Sequence, residues 1–337
     1  MLDWIADVAL KMVAAALLPL YEFLFTGGSR HYWLYCVTGL AISAYSYSRH
    51  KSWKSFETTL FDKNVWLSTS AINDYIIMVL GPVVRISILS FAIINGKAAT
   101  QFVVATLHSV GVSGSVNDAT AAGLGIVLTL TLFLADDFFR FYLHYLFHRI
   151  PELWEFHKVH HSAEVLNFAT SERHHPIELA ATGTFMAVLY GVINGAFIAA
   201  FGDKLTVATV AGANIFLFAF NIFGGVLRHS PFWISFGPNV ERWIISPAMH
   251  QIHHSEKLEH FDRNLGGALS IWDRMFGTLH IPKAGEIESF GIGAETADFR
   301  SLSVVYFRPI TAAAELFSKR FKSNRPNPAS VSASGTA

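Results

Sequence analysis

The chain writes the phrase H-x-x-H-H-S twice, as HKVHHS at residues 157–162 and as HQIHHS at residues 250–255. A related spacing, H-x-x-x-H, stands upstream in the run FYLHYLFHRIP and contributes His144 and His148. Eleven of the sixteen histidines fall between residues 144 and 254. On a helix, positions i, i+3 and i+4 share a face, so each phrase aims its imidazoles in one direction. Three imidazoles on one face pack poorly against lipid or an apolar core, and they repel one another once protonated. A metal removes both problems, because neutral imidazole is a good ligand for iron, zinc, copper and nickel. His144, His148, His157, His160, His161, His250, His253 and His254 exceed what one ion can use, so two ions sharing the cluster is the natural count. Isolated histidines such as His31, His50 and His108 read instead as hydrogen-bonded residues at helix ends.

Further candidates stand near the ends of apolar segments. SERHHPIE offers His174 and His175, and VLRHSP offers His229. Asp137 precedes His144 by seven residues and His148 by eleven, on their face of the helix, where a carboxylate can fix a ring tautomer. A solvated aspartate at a helix end is the other reading of Asp137. Thiolate chemistry is excluded, since Cys36 is the single cysteine and sits inside an apolar run.

These residues must be carried by something apolar. Of 337 residues, 52% are hydrophobic and 15% are charged, which points to a membrane protein. The zero formal net charge offers no global field for nucleic acid, and no G-x-G-x-x-G or P-loop supports nucleotide binding. The N-terminus lacks a basic start and a small-residue cleavage site, so it reads as a retained helix rather than a signal peptide. Apolar windows lie at about 6–26, 32–48, 74–95, 121–139, 179–201 and 204–223, against the roughly 20 residues that a bilayer-spanning helix needs. The last two are joined only by GDK and must be antiparallel neighbours, either of which can dip without crossing.

Four to six membrane segments are expected. Loops on one side hold only Arg30, Lys97 and Lys204. The other side holds Arg49, Lys51, Lys54 and Lys63, then Arg140, Arg149, Lys158 and Arg173, then every basic residue from Arg228 to Arg325. The positive-inside rule therefore places both termini and every clustered histidine on the cytoplasmic face. The tail SNRPNPASVSASGTA is Pro/Ser-rich and reads as disordered.

The set H-x3-H, H-x2-H-H, H-x2-H-H resembles the fatty acid hydroxylase and sterol desaturase superfamily of integral-membrane di-iron oxygenases. HFDRNLGGALSIWDRMFGTLHIP, residues 260–282, is similar to the segment that follows the last histidine phrase in its bacterial members. The resemblance covers about residues 130–282 with specific motifs.

It implies an all-α fold: a helical membrane bundle under a cytoplasmic helical cap with a histidine-rich di-metal site. Residues 1–120 would form N-terminal membrane segments, 121–285 the catalytic domain and 286–337 a C-terminal tail. RHHP matches the family's R-x-H-P and selects His175 over His174; LRHS selects His229. The implied ligands are then His144, His148, His157, His160, His161, His175, His229, His250, His253 and His254. Asp137, His174, His260, Asn264 and Asp273 would support them. Asn264, Gly266 and Gly267 would form a tight turn, Trp272 would pack, Asp273 and Arg274 would pair beneath the metals, and His280 would be structural.

The implied cofactors are two iron ions, with zinc also compatible, and O2 as co-substrate. Electrons would come from a separate reductase, ferredoxin or cytochrome, because no flavin, haem or iron-sulfur motif is present. The substrate would be a fatty-acyl, sterol or related lipid, with ether-lipid cleavage and carotenoid hydroxylation as variants on the same histidine pattern. A zinc hydrolase is the competing class, but it would need a general base of the H-E-x-x-H kind. A metal transporter would place its ligands mid-bilayer, and a membrane cytochrome needs two axial histidines rather than eight to ten. Arg85 lies deep in an apolar segment, where a charge is costly unless paired.

Overall fold

A computed structural model describes residues 24–89 and 96–323. The expected helix over 6–26, for all but its last residues, the side chain of Arg85 and the tail beyond residue 323 lie outside the described residues. Thirteen helices are described: α1 Trp33–His50, α2 Trp53–Leu60, α3 Lys63–Trp66, α4 Thr69–Leu89, α5 Gly96–Ser109, α6 Asp118–Arg149, α7 Pro151–His161, α8 Pro176–Phe201, α9 Ile215–Ile222, α10 Pro238–Glu241, α11 Pro247–His253, α12 Ile271–Phe276 and α13 Leu302–Ser323. The only strands among these residues are β1 Thr209–Val210 and β2 Ala213–Asn214, an antiparallel pair with Val210 opposite Ala213.

Helix α6 sets the scale of the molecule. Asn117 caps it, its Oδ1 accepting from Thr120 N at 2.9 Å. Pro151 disfavours helical backbone at Ile150, and α6 stops at Arg149. At about 1.5 Å per residue the helix is about 48 Å long, against a hydrocarbon core of about 30 Å. Its apolar first half can cross a bilayer while the last turns, with His144 and His148, stand clear of it.

Helices α6 and α8 are long and apolar enough to cross a membrane, and only 28% and 22% of their most apolar windows are buried. A soluble core helix would be covered by protein. Here Ile126, Val127 and Leu130 on α6 and Phe185 and Val192 on α8 face outward, as lipid-facing residues do. Residues 69–80 of α4 are apolar but shorter.

Helix α5 packs along α8. A Cβ added at Gly191 would lie 2.5 Å from Ala99 Cβ, and one at Gly195 would lie 2.8 Å from Val103 Cβ. The two glycines, spaced G-x-x-x-G, let the helices approach to backbone contact.

The window 204–223 does not form a spanning helix. Ala211 and Gly212 both take positive φ and turn the chain into the β1–β2 hairpin, and Asn214 caps the eight-residue α9. Eight residues rise only about 12 Å, far short of a bilayer.

At the other end, α13 packs on α7, with Val159 of α7, Ile77 of α4, Phe299 and Val305 in one buried cluster. Arg173, 1% exposed, ties this layer together. It donates to Asp74 Oδ1 at 2.7 Å, to Val159 O at 3.0 Å and to Phe299 O at 3.2 Å. Helix α7 is thereby fixed against α4 and the C-terminal segment.

Candidate metal centre

The last turn of α6 brings His144 and His148 to the face of α7 that carries His157 and His161, and α11 adds His253. One nitrogen from each of these five lies within 4.8 Å of all the others. A second set, His160, His229, His250 and His254, meets the same criterion. His229 closes a 3-10 turn over Gly225–His229, and His254 is the C-cap of α11. The H-x-x-H-H phrases thus divide themselves: His157, His161 and His253 serve one set, and His160, His250 and His254 serve the other.

Hydrogen bonds at the far nitrogens aim the rings. His144 Nδ1 donates to Leu265 O at 2.8 Å and His253 Nδ1 to Arg263 O at 2.9 Å. His160 Nδ1 lies 3.3 Å from Arg173 O. A carbonyl oxygen can only accept, so these rings carry their proton on Nδ1 and keep the Nε2 lone pair free. Carboxylates hold two more: His157 Nδ1 is 2.8 Å from Glu178 Oε1, and His148 Nδ1 is 3.2 Å from Asp262 Oδ1.

The Nε2 atoms of His144, His148, His157, His161, His253 and His254 are buried without a hydrogen-bond partner. Each such orphan costs about 1–3 kcal/mol. Six of them would consume a large share of the 5–15 kcal/mol, roughly, that keeps a domain folded. In the second set, His229 Nε2 stands 3.1 Å from His160 Nε2 and 3.0 Å from His250 Nε2. Two buried clusters of converging, deprotonated imidazole nitrogens fit a di-metal site. Burial, then neighbouring charges, holds His160, His161, His229, His250, His253 and His254 well below the ordinary 6.5, so all are neutral at pH near 7.

The residue selected from RHHP is the point of correction. His175 is the N-cap of α8: its Nδ1 accepts from Ile177 N at 3.1 Å and its Nε2 faces Tyr306 O at 3.1 Å. Pro176 opens the helix, and the extended backbone before it sends adjacent side chains to opposite sides. His174 therefore takes the inward position, stacked on His160 with ring centroids 4.3 Å apart and its Nδ1 3.1 Å from Glu178 Oε1.

Asp137 does not touch the histidines. Its carboxylate accepts from Ala268 N at 2.7 Å, Leu269 N at 3.0 Å and Trp272 Nε1 at 2.9 Å. Asp273 does not pair with Arg274, which lies over the Trp243 ring. It accepts from Leu265 N at 2.8 Å, Gly266 N at 2.9 Å and Thr278 Oγ1 at 2.6 Å. Asn264, at φ 54°, donates to Met249 O at 3.1 Å and accepts from His280 N at 2.8 Å. A Cβ at Gly266 would sit 2.7 Å from Asp273 Oδ2, and one at Gly267 would sit 2.9 Å from Asp137 Oδ1, so both carboxylates need glycine there. Together they shape the loop whose Leu265 carbonyl holds His144.

Sequence reasoning missed Glu178 and Asp262. Glu178 lies in the first turn of α8, four residues after His174, a readable signal. Asp262 meets His148 only through a turn at positive φ, which spacing does not reveal.

Residues 129–278 match the fatty acid hydroxylase family. Over this stretch the chain is similar to that family. This is an oxidoreductase family, and its matched stretch contains both histidine sets. The chain is 29% identical over 147 residues to the alkylglycerol monooxygenases of Danio rerio and Homo sapiens, covering 44% of this chain and 29% of each relative. It is 30% identical over 161 residues to the ornithine lipid hydroxylase OlsE of Rhizobium tropici, covering 48% of this chain and 44% of that one. The chain thus spans less than half the length of these relatives. No solved structure matches it.

Two cavities flank the histidine centre. One of about 280 Å³ is lined by members of both sets, His144 and His157 with His160 and His250, and by Arg30, Arg140 and Arg228. The other, about 180 Å³, is mostly apolar and is lined by Tyr35, Leu40, Trp66, Leu227 and Phe232 together with His229. Arg30 and Arg228 line both, so Arg30, which the loop charges assign to the side opposite the histidines, lies beside them.

Proposed function

We propose that this protein is a membrane-bound, O2-dependent di-iron hydroxylase acting on a lipid that has a polar head and a long apolar chain. The observation that carries this reading is the convergence of buried, unpartnered imidazole nitrogens in two adjacent sets. His144, His148, His157, His161 and His253 would hold one ion, and His160, His229, His250 and His254 the other. His174 stands beside the second set. Bound there as iron, the pair would supply the activation of O2 needed to oxidise an unactivated C–H bond.

The chain's own residues would do the rest. Leu265 O, Arg263 O, Glu178 and Asp262 would keep the ligand rings oriented. The cavity facing both sets would receive the carbon to be oxidised. Arg30, Arg140 and Arg228 would fix a polar or anionic group, and the adjoining apolar groove would take a hydrocarbon chain. That mixed lining favours a polar lipid over a sterol or carotenoid. The names of the relatives, alkylglycerol monooxygenase and ornithine lipid hydroxylase, point the same way.

In this proposal α6 and α8 cross the bilayer with the histidines on the cytoplasmic side, and the catalytic domain occupies residues 121–285. Electrons would come from a separate reductase, ferredoxin or cytochrome. A third cavity, about 300 Å³, reaches His148, His161 and His253 past Trp154 and Lys158. It would be the approach for that donor.

The test is metal content, and product formed when a reduced ferredoxin and a polar-lipid extract are added, on detergent-purified protein expressed with iron-57. Two irons per chain with a coupled Mössbauer signature, and 18O from 18O2 appearing in a polar lipid, are expected. No bound iron in an otherwise folded protein would overturn the assignment.

A further inference from the structure

Outside the histidine centre, a smaller cluster joins two loops. His260 closes the 3-10 turn Leu258–His260 and is fully buried, yet neither of its ring nitrogens has a hydrogen-bond partner. Its ring packs edge-on to His280 with centroids 5.2 Å apart. His280 Nε2 lies 3.2 Å from Glu286 Oε2. One nitrogen from each histidine and one oxygen of Glu286 lie within 4.8 Å of one another.

A buried structural histidine ordinarily spends at least one nitrogen on a carbonyl or hydroxyl, because leaving a polar atom bare costs about 1–3 kcal/mol. His260 spends neither, and an edge-on ring contact does not supply the missing bond. Glu259 Oε1 is 3.7 Å from His260 Nε2, beyond hydrogen-bond reach, on a side chain 70% exposed. Two imidazoles and a carboxylate are a donor set that zinc accepts, with a further position left for water. Glu286 is held in place by Lys283 N at 2.8 Å, and His280 by its own N–H on Asn264 Oδ1 at 2.8 Å.

We propose that His260, His280 and Glu286 form a third metal site, for a single divalent cation of the zinc type, separate from the nine-histidine centre. The ion would staple residues 258–264 to residues 278–286. The first of these segments leads into Asp262, Arg263 and Leu265, whose oxygens hold His148, His253 and His144. The third ion would thus act on the centre through positioning and would touch no substrate.

The experiment uses full-length protein in detergent, stripped with a chelator and reloaded with zinc chloride. Bound zinc per chain is measured by elemental analysis after desalting, for the wild type, His280→Ala and Glu286→Gln. The wild type is expected to hold one zinc more than His280→Ala. Glu286→Gln, which keeps the shape of the side chain, is expected to weaken that one ion by about tenfold or more. Melting curves with and without zinc should show a smaller zinc-induced rise in both variants. Equal zinc in all three proteins at every concentration would overturn the proposal. The difference between proteins reads this site, whereas the total reads the histidine centre, so failure of one leaves the other standing.

Discussion

Glu178 and His157 are joined at 2.8 Å across the α7–α8 contact, and the same carboxylate oxygen also takes His174 at 3.1 Å. One side chain at the start of a membrane-type helix thereby orients a histidine from the first set and the ring stacked on the second. Glu178→Ala should lower metal affinity by about 10–100-fold, the usual cost of removing a carboxylate that steers a ligand ring. Glu178→Gln should lose less, because an amide oxygen still accepts from one ring. Metal titration of the purified variants checks this. Unchanged affinity in Glu178→Ala would show that the rings are held without it.

His174 and His175 give the sharpest contrast between neighbours. His175→Ala removes a helix cap and should cost about 0.5–2 kcal/mol of stability while leaving metal content intact. His174→Ala removes the ring beside His160 and should lower metal retention or activity with little change in melting temperature. Elemental analysis and thermal melting on the two variants separate these outcomes, and the opposite pattern would restore His175 to the centre.

The eight motif histidines were legible because helical spacing alone puts i, i+3 and i+4 side by side, and all eight fall in the two converging sets. The choice at RHHP was not, since spacing does not say which of two adjacent residues faces inward before a proline-initiated helix. The long helices over 118–149 and 176–201 followed from apolar run length. The window 204–223 misled for the same reason: hydropathy counted its apolar residues but not the positive-φ turn at Ala211 and Gly212. Asp137 and Asp273 were found as acids near the motif, yet their partners are backbone N–H groups of a distant loop, which a one-dimensional pattern does not display.

Helix α5 depends on glycine in α8. Gly191→Leu or Gly195→Leu would push a side chain into Ala99 or Val103, where even a single Cβ has no room. Overpacking of this kind costs about 1–3 kcal/mol. The variants should melt lower in detergent and expose residues 96–109 to proteolysis, while the histidine centre, on the far end of α8, keeps its metal stoichiometry. A Gly191→Leu protein as stable and protease-resistant as the wild type would mean that α5 does not seat on this face.

Acid should unfold the metal-free protein far more readily than the loaded one. Burial and neighbouring charge hold His160, His161, His229, His250, His253 and His254 below 6.5 in the folded state, whereas in the unfolded chain they take up protons as pH falls through about 6.5. Below that pH the unfolded state binds more protons, so stability falls with pH and continues to fall until the lowered folded values are reached. Above about 7 both states are neutral at these rings and the slope vanishes. Calorimetry of chelator-stripped protein between about pH 8 and 5 should show a flat region and then a steep loss, with several protons taken up on unfolding. Metal-loaded protein should hold its melting temperature to lower pH, because protons must first displace the ions from the same nitrogens. A stripped protein whose stability is level across this range would contradict the buried, neutral state of the six rings.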